Sequence, residues 1–552
     1  MKNGPVSPSI GVMIILPPKQ NKPVAIRAEH RGCSVGLVCS QEVYKKMNYW
    51  KKQLLLMVCL SGIATVSAEV TLEQEVKITD SALHFDGVKV KRGTPDNKEG
   101  KYDYYFGPQI SAHGDSVKPF GDYVFLTWYH GGKDNRHVML TRYNTLTGSL
   151  ATIKFPHRHT GWQGIRHIGE SHNTIAVAIS PIDGTIHLLY DMHGYDRIRP
   201  GDGSFANDYF RYSYSVPGAA TLPDSEFTLD KFVKDTSAKS EGNDDYKHLS
   251  LTGVEDHEQY SRLTYPKFFT NTDGTLLMYM RKGRDNNGGY VFSRYEADNK
   301  TWSPFIRFNV TDASNYGQPY DWGLYGNMKY VNGKLRVGFQ RRLANKEDKY
   351  SHQNGFYYAY SDHPDGRDQW KTHEGKPLPV FPVQDADTIK VGEPGDLVEA
   401  SGKNQVSITG GFDWNVTARG DIHIVGKVKD KLNNQTVNVH SYKPAGAKKF
   451  TTTKDFSGAD KIYTAGNDIY IVGLKDGRPF IEKGIGGTNN FALVYHAQSG
   501  KTFNHGTVHI ANGKVYFYMM EKKSGSSQPL YLQIIDLGIG GGSAASNMVA
   551  DN

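Results

Sequence analysis

Short runs of β-branched and aromatic residues recur along the chain, each bounded by Gly, Asn and Asp. They are YVFLTWY, TIHLLYD, TLLMYM, KLRVGFQ, DIHIVGKV, DIYIVGL and KVYFYMM. Their period is close to two, the spacing of strands, and no stretch keeps helical periodicity beyond two turns. Each run follows a tight turn: Gly121-Asp122, Asp183-Gly184, Asp273-Gly274, Asn332-Gly333, Gly420-Asp421, Asn467-Asp468 and Asn512-Gly513. A propeller blade of four strands needs roughly 40–50 residues plus loops. Seven turn-strand units therefore predict an all-β chain, a seven-bladed β-propeller, with a β-sandwich pair or β-helix as the competing arrangements. Tryptophans placed after turns, in Asp298-Asn299-Lys300-Thr301-Trp302 and in Ser361-Asp362 followed by Trp370, echo the Asp-box repeats of sialidase-type propellers.

Composition agrees with this pattern. The 552 residues include 59 glycines and are 12% aromatic and 38% hydrophobic, with a mean hydropathy of −0.55. Such a balance excludes a coiled coil, a membrane bundle or a disordered chain. The formal charge of +8 suggests a nucleic-acid or membrane surface until its location is considered. From Met47 the sequence reads as a secretory leader: Lys51-Lys52, an apolar core from Leu54 to Val66, then Val66-Ser67-Ala68 before Glu69. Residues 1–46 precede it as a mis-assigned upstream extension, 47–68 form the signal peptide, 69–537 the single propeller domain and 538–552 a flexible tail. Without residues 1–68 the balance is 56 Lys and Arg against 55 Asp and Glu, so the case for nucleic acid disappears. Cys33, Cys39 and Cys59 leave with the leader, which excludes disulfides and cysteine-ligated zinc from the mature chain. The expected product is a secreted or periplasmic monomer without a membrane anchor.

On a propeller, residues far apart in sequence converge where loops and strand ends meet near the axis. Four positions combine the right chemistry with such placements. His172 lies in Glu170-Ser171-His172-Asn173, at the entrance to an apolar strand. His193 lies just past the strand that ends in Asp191. Tyr265 precedes Pro266, and Arg281 closes the strand of the Asp273-Gly274 unit. Individually each reads as an ordinary structural or surface residue; it is their combination that points to a site.

The string from Phe106-Gly107-Pro108 through ESHN, IHLLYDMH, FRYSYS, TYPKFF and LLMYMRKG resembles the BNR-repeat propellers among polysaccharide lyases. It is most similar to the ulvan lyases of polysaccharide lyase family 24, with family 25 the close relative. The resemblance runs over essentially the whole mature chain and is most specific from about 106 to 360. It implies a seven-bladed propeller and an anionic sulfated polysaccharide partner, ulvan, in which sulfated rhamnose alternates with glucuronic or iduronic acid. The family's catalytic roles fall on His172, His193, Tyr265 and Arg281. No cofactor is implied for the chemistry; a structural calcium or zinc ion is left open, although a metal site using cysteine is ruled out by composition.

Such a lyase removes the C5 proton of a uronic acid and expels the C4 oxygen. An arginine forked onto the carboxylate would neutralise it and stabilise the developing enolate-like charge, the role expected of Arg281. A neutral histidine, with reference pKa about 6.5, suits the base and a tyrosine, about 10, the acid. His172 is the expected base, His193 its partner or a carboxylate neutraliser, and Tyr265 the acid or both acid and base. Asn173, Trp162, Arg341, Arg342, His352 and Asn354 are the expected substrate-binding residues, supplying cations and stacking surface for a polyanion. The alternatives are a lyase for another uronate polymer, a propeller glycoside hydrolase, which would need paired carboxylates, and a noncatalytic carbohydrate-binding propeller.

Overall fold

The computed structural model describes residues 28–31, 34–37, 69–91, 100–195, 210–238, 240–254, 257–345, 355–400, 402, 405–408 and 411–539. The predicted leader, 47–68, and the end of the predicted tail, 540–552, lie outside them. Residues Met1–Glu69 with Gly538–Ser546 fall in one unit, in which the described strands are the antiparallel pair Ala28–Arg31 and Ser34–Leu37. Residues Val70–Leu537 belong to the second unit, which carries everything that follows.

That unit is all β. Among the described residues the only helical segments are 3-10 turns of three or four residues, and no helix is long and apolar enough to cross a membrane. Antiparallel sheets occupy 117–158, 175–214, 263–307, 322–392, 406–453, 463–496 and 503–536. The third and fourth are joined by the parallel bridge of Gly288 to Gly323, and just past the third sheet Asn309 bridges Val383. The last sheet takes its fourth strand from the other end of the unit, where Thr71–Leu83 pairs antiparallel with Ser527–Asp536. This pairing closes the ring and covers what would otherwise be an open edge.

Every turn picked out in the sequence joins two paired strands of one sheet, the first two in all but the 406–453 sheet, where Gly420-Asp421 joins the second and third. Asn332 and Gly333 take φ of 48° and 65°, and Asn512 and Gly513 take 52° and 74°, as a two-residue type I′ hairpin requires. The strands between turns are more apolar than alternation would need, since both faces are covered. Ile175–Ile179 and Ile186–Tyr190 are buried at every position. Ile175, Val177 and Ile179 pack against Phe125, Leu140 and Phe155 of the first sheet. Ala176 and Ala178 pack against Phe268 and Met278 of the third. The same alternation carries the core round through Tyr357 and Tyr358, Val425 and Ile471, and Tyr470 and Phe517. It returns to the first sheet where Tyr518 and Leu532 meet Val124 and Leu126. Seven interfaces for seven sheets is the signature of a propeller.

Candidate active site

The site is built at the ends of the second and third sheets. Glu170 is fully buried in the turn ahead of Ile175. Its Oε1 accepts from the backbone N–H of His172 at 2.9 Å and from His172 Nδ1 at 2.7 Å. Its Oε2 accepts from His193 Nδ1 at 3.0 Å. Burial alone would push this carboxyl up, but the two imidazole hydrogen bonds prevail and hold it at about 2. An ionised carboxylate only accepts, so both Nδ1 atoms must carry the proton. With Nδ1 so held, the remaining basic position of each ring is Nε2. The two rings stack at 4.3 Å and 22°, and Phe106 meets both edge-on at 4.4 and 5.1 Å.

Backbone pairing brings the third sheet to these imidazoles. His193 bridges Thr264, and Gly194 N donates to Leu263 O at 2.9 Å. Just beyond, the strand Leu263–Thr270 slips register between Thr264 and Lys267. Tyr265 occupies the resulting bulge with φ of 58°. That conformation is costly for a bulky residue and doubly so before proline, and bulges of this kind re-aim side chains next to active sites. The ring lies 5.5 Å from His172 and 6.4 Å from His193. It keeps 36% of its surface open yet sits among packed groups. Burial pushes its phenol up to about 12, with Tyr325 adding to the effect and Arg281 and Arg342 opposing it. At neutral pH Tyr265 is thus a proton donor.

Arg281 is buried behind this group, and its fork is mostly occupied. Its Nε donates to Leu324 O at 3.0 Å, and its Nη2 to Arg284 O at 2.7 Å and Asp285 O at 3.0 Å. Only Nη1, with a 3.5 Å contact to Gly283 O, keeps slack. The fork expected to grip a carboxylate is therefore largely taken up by backbone carbonyls. Glycine at 288 and 323 makes room for the guanidinium, because a Cβ at Gly288 would lie 2.5 Å from Nη2. Tyr325 lies under both Arg281, at 4.4 Å, and Arg342, at 3.8 Å.

The expected substrate-binding residues fare differently. Trp162 is buried, stacked on Tyr105 at 4.3 Å and packed with Val90 and Ile168, so it braces the loop instead of offering a face to sugar. Asn173 is fully buried, donating to Tyr195 Oη at 2.7 Å and Gly161 O at 3.3 Å; it holds the site's frame and touches no solvent. Arg341 is taken up by Asp387 at 2.9 Å and lies over Tyr357. Arg342 remains beside the site. His352 and Asn354 lie outside the described residues.

Sequence reasoning passed over Glu170, Phe106 and Tyr325. The Glu-Ser-His spacing was a local signal for the first pairing, but its second imidazole comes from a different loop. Glu170, His172 and His193 also offer three ligand atoms within 4.8 Å of one another, a nitrogen-rich set that suits zinc better than calcium. Those atoms already satisfy one another by hydrogen bonds, and a metal would displace the Nδ1 protons.

Antiparallel sheets closed in a ring define the class as a β-propeller, one that gathers a His-His-Tyr cluster at its strand ends. Residues 123–455 match the BNR repeat-containing family. An ulvan lyase, long isoform, from Alteromonas sp is 59% identical over 494 residues, which is 88% of this chain and 49% of that one. A second long-isoform ulvan lyase, from Pseudoalteromonas sp. (strain PLSV), matches equally. The chain thus spans about half the length of these curated relatives. It covers 92% of a short-isoform ulvan lyase from Alteromonas sp. (strain LOR), at 54% identity over 87% of the present chain. The crystal structure of the polysaccharide lyase Uly1 superposes with a TM-score of 0.82 at 52% identity, over 85% of this chain and all of that one. The chain belongs to the ulvan lyase family of BNR-repeat propellers.

Proposed function

We propose that this protein is a secreted polysaccharide lyase that depolymerises ulvan by β-elimination at glucuronate or iduronate next to sulfated rhamnose. The observation that carries this reading is a single buried carboxylate, Glu170, pinning two imidazoles by their Nδ1 atoms beside a tyrosine forced into a bulge. His172 Nε2 takes the C5 proton, with His193 as its partner. Tyr265, held protonated, delivers a proton to the departing C4 oxygen. Its phenol then stays neutral at rest and acts as acid ahead of base, because burial disfavours the phenolate. Arg281 Nη1, supported by Arg342 across the Tyr325 ring, faces the uronate charge.

The test is to incubate purified protein with ulvan and, in parallel, with alginate, pectin and chondroitin sulfate, following ultraviolet absorbance of the unsaturated product. Chromophore from ulvan alone is the expected result. New reducing ends without chromophore would mean hydrolysis, chromophore from another polymer would move the substrate, and binding without depolymerisation would make this a carbohydrate-capture protein.

A further inference from the structure

On the far side of Tyr265 the strand Leu263–Thr270 sends Lys267 into a cavity of about 100 Å³ between the sheets. Its lining comes from six of the seven sheets and their leading loops, including Asp115, Lys267, Lys329, Asp413, Lys461 and His509. Asp115 is paired with Lys118 at 2.9 Å and accepts from Phe268 N. Asp413 is paired with Lys329 at 2.8 Å and accepts from Asn327 Nδ2 and Ile462 N. The two carboxylates are therefore fully engaged. Lys267 reaches only the amide oxygen of Asn327, at 2.7 Å, and among the described residues Lys461 makes no ion pair. Three ammonium groups, of Lys267, Lys329 and Lys461, thus face two carboxylates round one small space, and one of those carboxylates is already paired with Lys118. Lys267 is half-buried with only an amide oxygen as partner, beside the exposed Lys461, and positive charge withdrawn from water is costly unless something offsets it.

We propose that this cavity is an anion site taking one small oxyanion, a sulfate or the sulfate group of an ester, between Lys267, Lys329 and Lys461. The volume admits such an ion together with water. Burial, and after it crowding by Lys461, draw the Lys267 ammonium down to about 7, which an anion would oppose. Bridging strands from different sheets, the ion would tie the ring together at its centre. This inference does not depend on the reaction proposed above.

Thermal unfolding of the full chain should be followed against sodium sulfate, with sodium chloride matching ionic strength throughout. A saturable rise of roughly 2–5 °C at excess sulfate is expected. Lys461→Met, a substitution at an exposed position, should weaken the midpoint at least tenfold, and Lys267→Met should do the same where it folds. Methyl sulfate run in parallel separates the two sources: a matching shift identifies an ester-compatible site, and a shift with inorganic sulfate alone identifies the free ion. No saturable shift beyond the chloride control, or an unchanged midpoint in Lys461→Met, would overturn the proposal.

Discussion

Replacing Glu170 by glutamine keeps the shape of the side chain and removes its charge. The wild-type carboxylate accepts two imidazole N–H groups, one on each oxygen. An amide has one accepting oxygen and an NH₂ that only donates. One histidine can keep its Nδ1–H; the other must turn over to the tautomer that accepts at Nδ1, which puts a proton on its Nε2 and removes it as a base. Where a buried carboxylate sets the tautomer of a catalytic histidine, the amide variant loses about 10⁴ in turnover. Because either histidine can be the one that flips, we expect a fall in kcat of roughly 10²–10⁴ for Glu170→Gln. Stability should move in step with the charge. The folded carboxyl sits at about 2 against an ordinary 4.5, and each unit is about 1.4 kcal/mol. The ionised group thus contributes about 3 kcal/mol, fully present above pH 4.5 and lost as pH falls from there towards 2. The assay is initial rate of chromophore release from ulvan, with thermal unfolding at pH 7 and pH 3.5 on both proteins. Wild type should lose stability between those pH values more steeply than the variant. A variant with turnover within threefold of wild type, at unchanged fold, would refute the tautomer argument.

Tyr265→Phe should lower turnover by about 10²–10³ with KM little changed, as expected for loss of a general acid; undiminished activity would exclude the phenol from proton transfer. Arg281→Ala should cost stability, about 1–3 kcal/mol, by stranding the buried carbonyl of Leu324 and releasing those of Arg284 and Asp285, which a denaturant titration will detect. Arg342→Ala should leave the denaturation midpoint nearly unmoved while raising KM for ulvan; the reverse ranking would return the carboxylate contact to Arg281 alone. Trp162→Ala should destabilise by about 3–5 kcal/mol as a core truncation, whereas Trp162→Phe should retain wild-type KM, since neither ring meets the substrate.

The strand count and the ring were readable in the sequence because they rest on local chemistry. Gly and Asn turns such as Asn332-Gly333 need only their own φ angles, and an apolar run announces a strand whatever it packs on. His172, His193 and Tyr265 were readable as candidates because their residue types and spacing survive without coordinates. Burial and partnership were not readable. Trp162 and Asn173 look like binding residues until Tyr105 and Tyr195 cover them, and Arg281 looks free until Leu324, from the neighbouring sheet, takes its Nε proton. Glu170 stood in plain view, yet its function needs an imidazole 23 residues away delivered by a bridge to a third strand. Sequence alone determined which elements form, since turn and strand preferences act over a few residues. Only the tertiary structure decided which polar atoms meet, because each such contact depends on how separate sheets are clamped around one core.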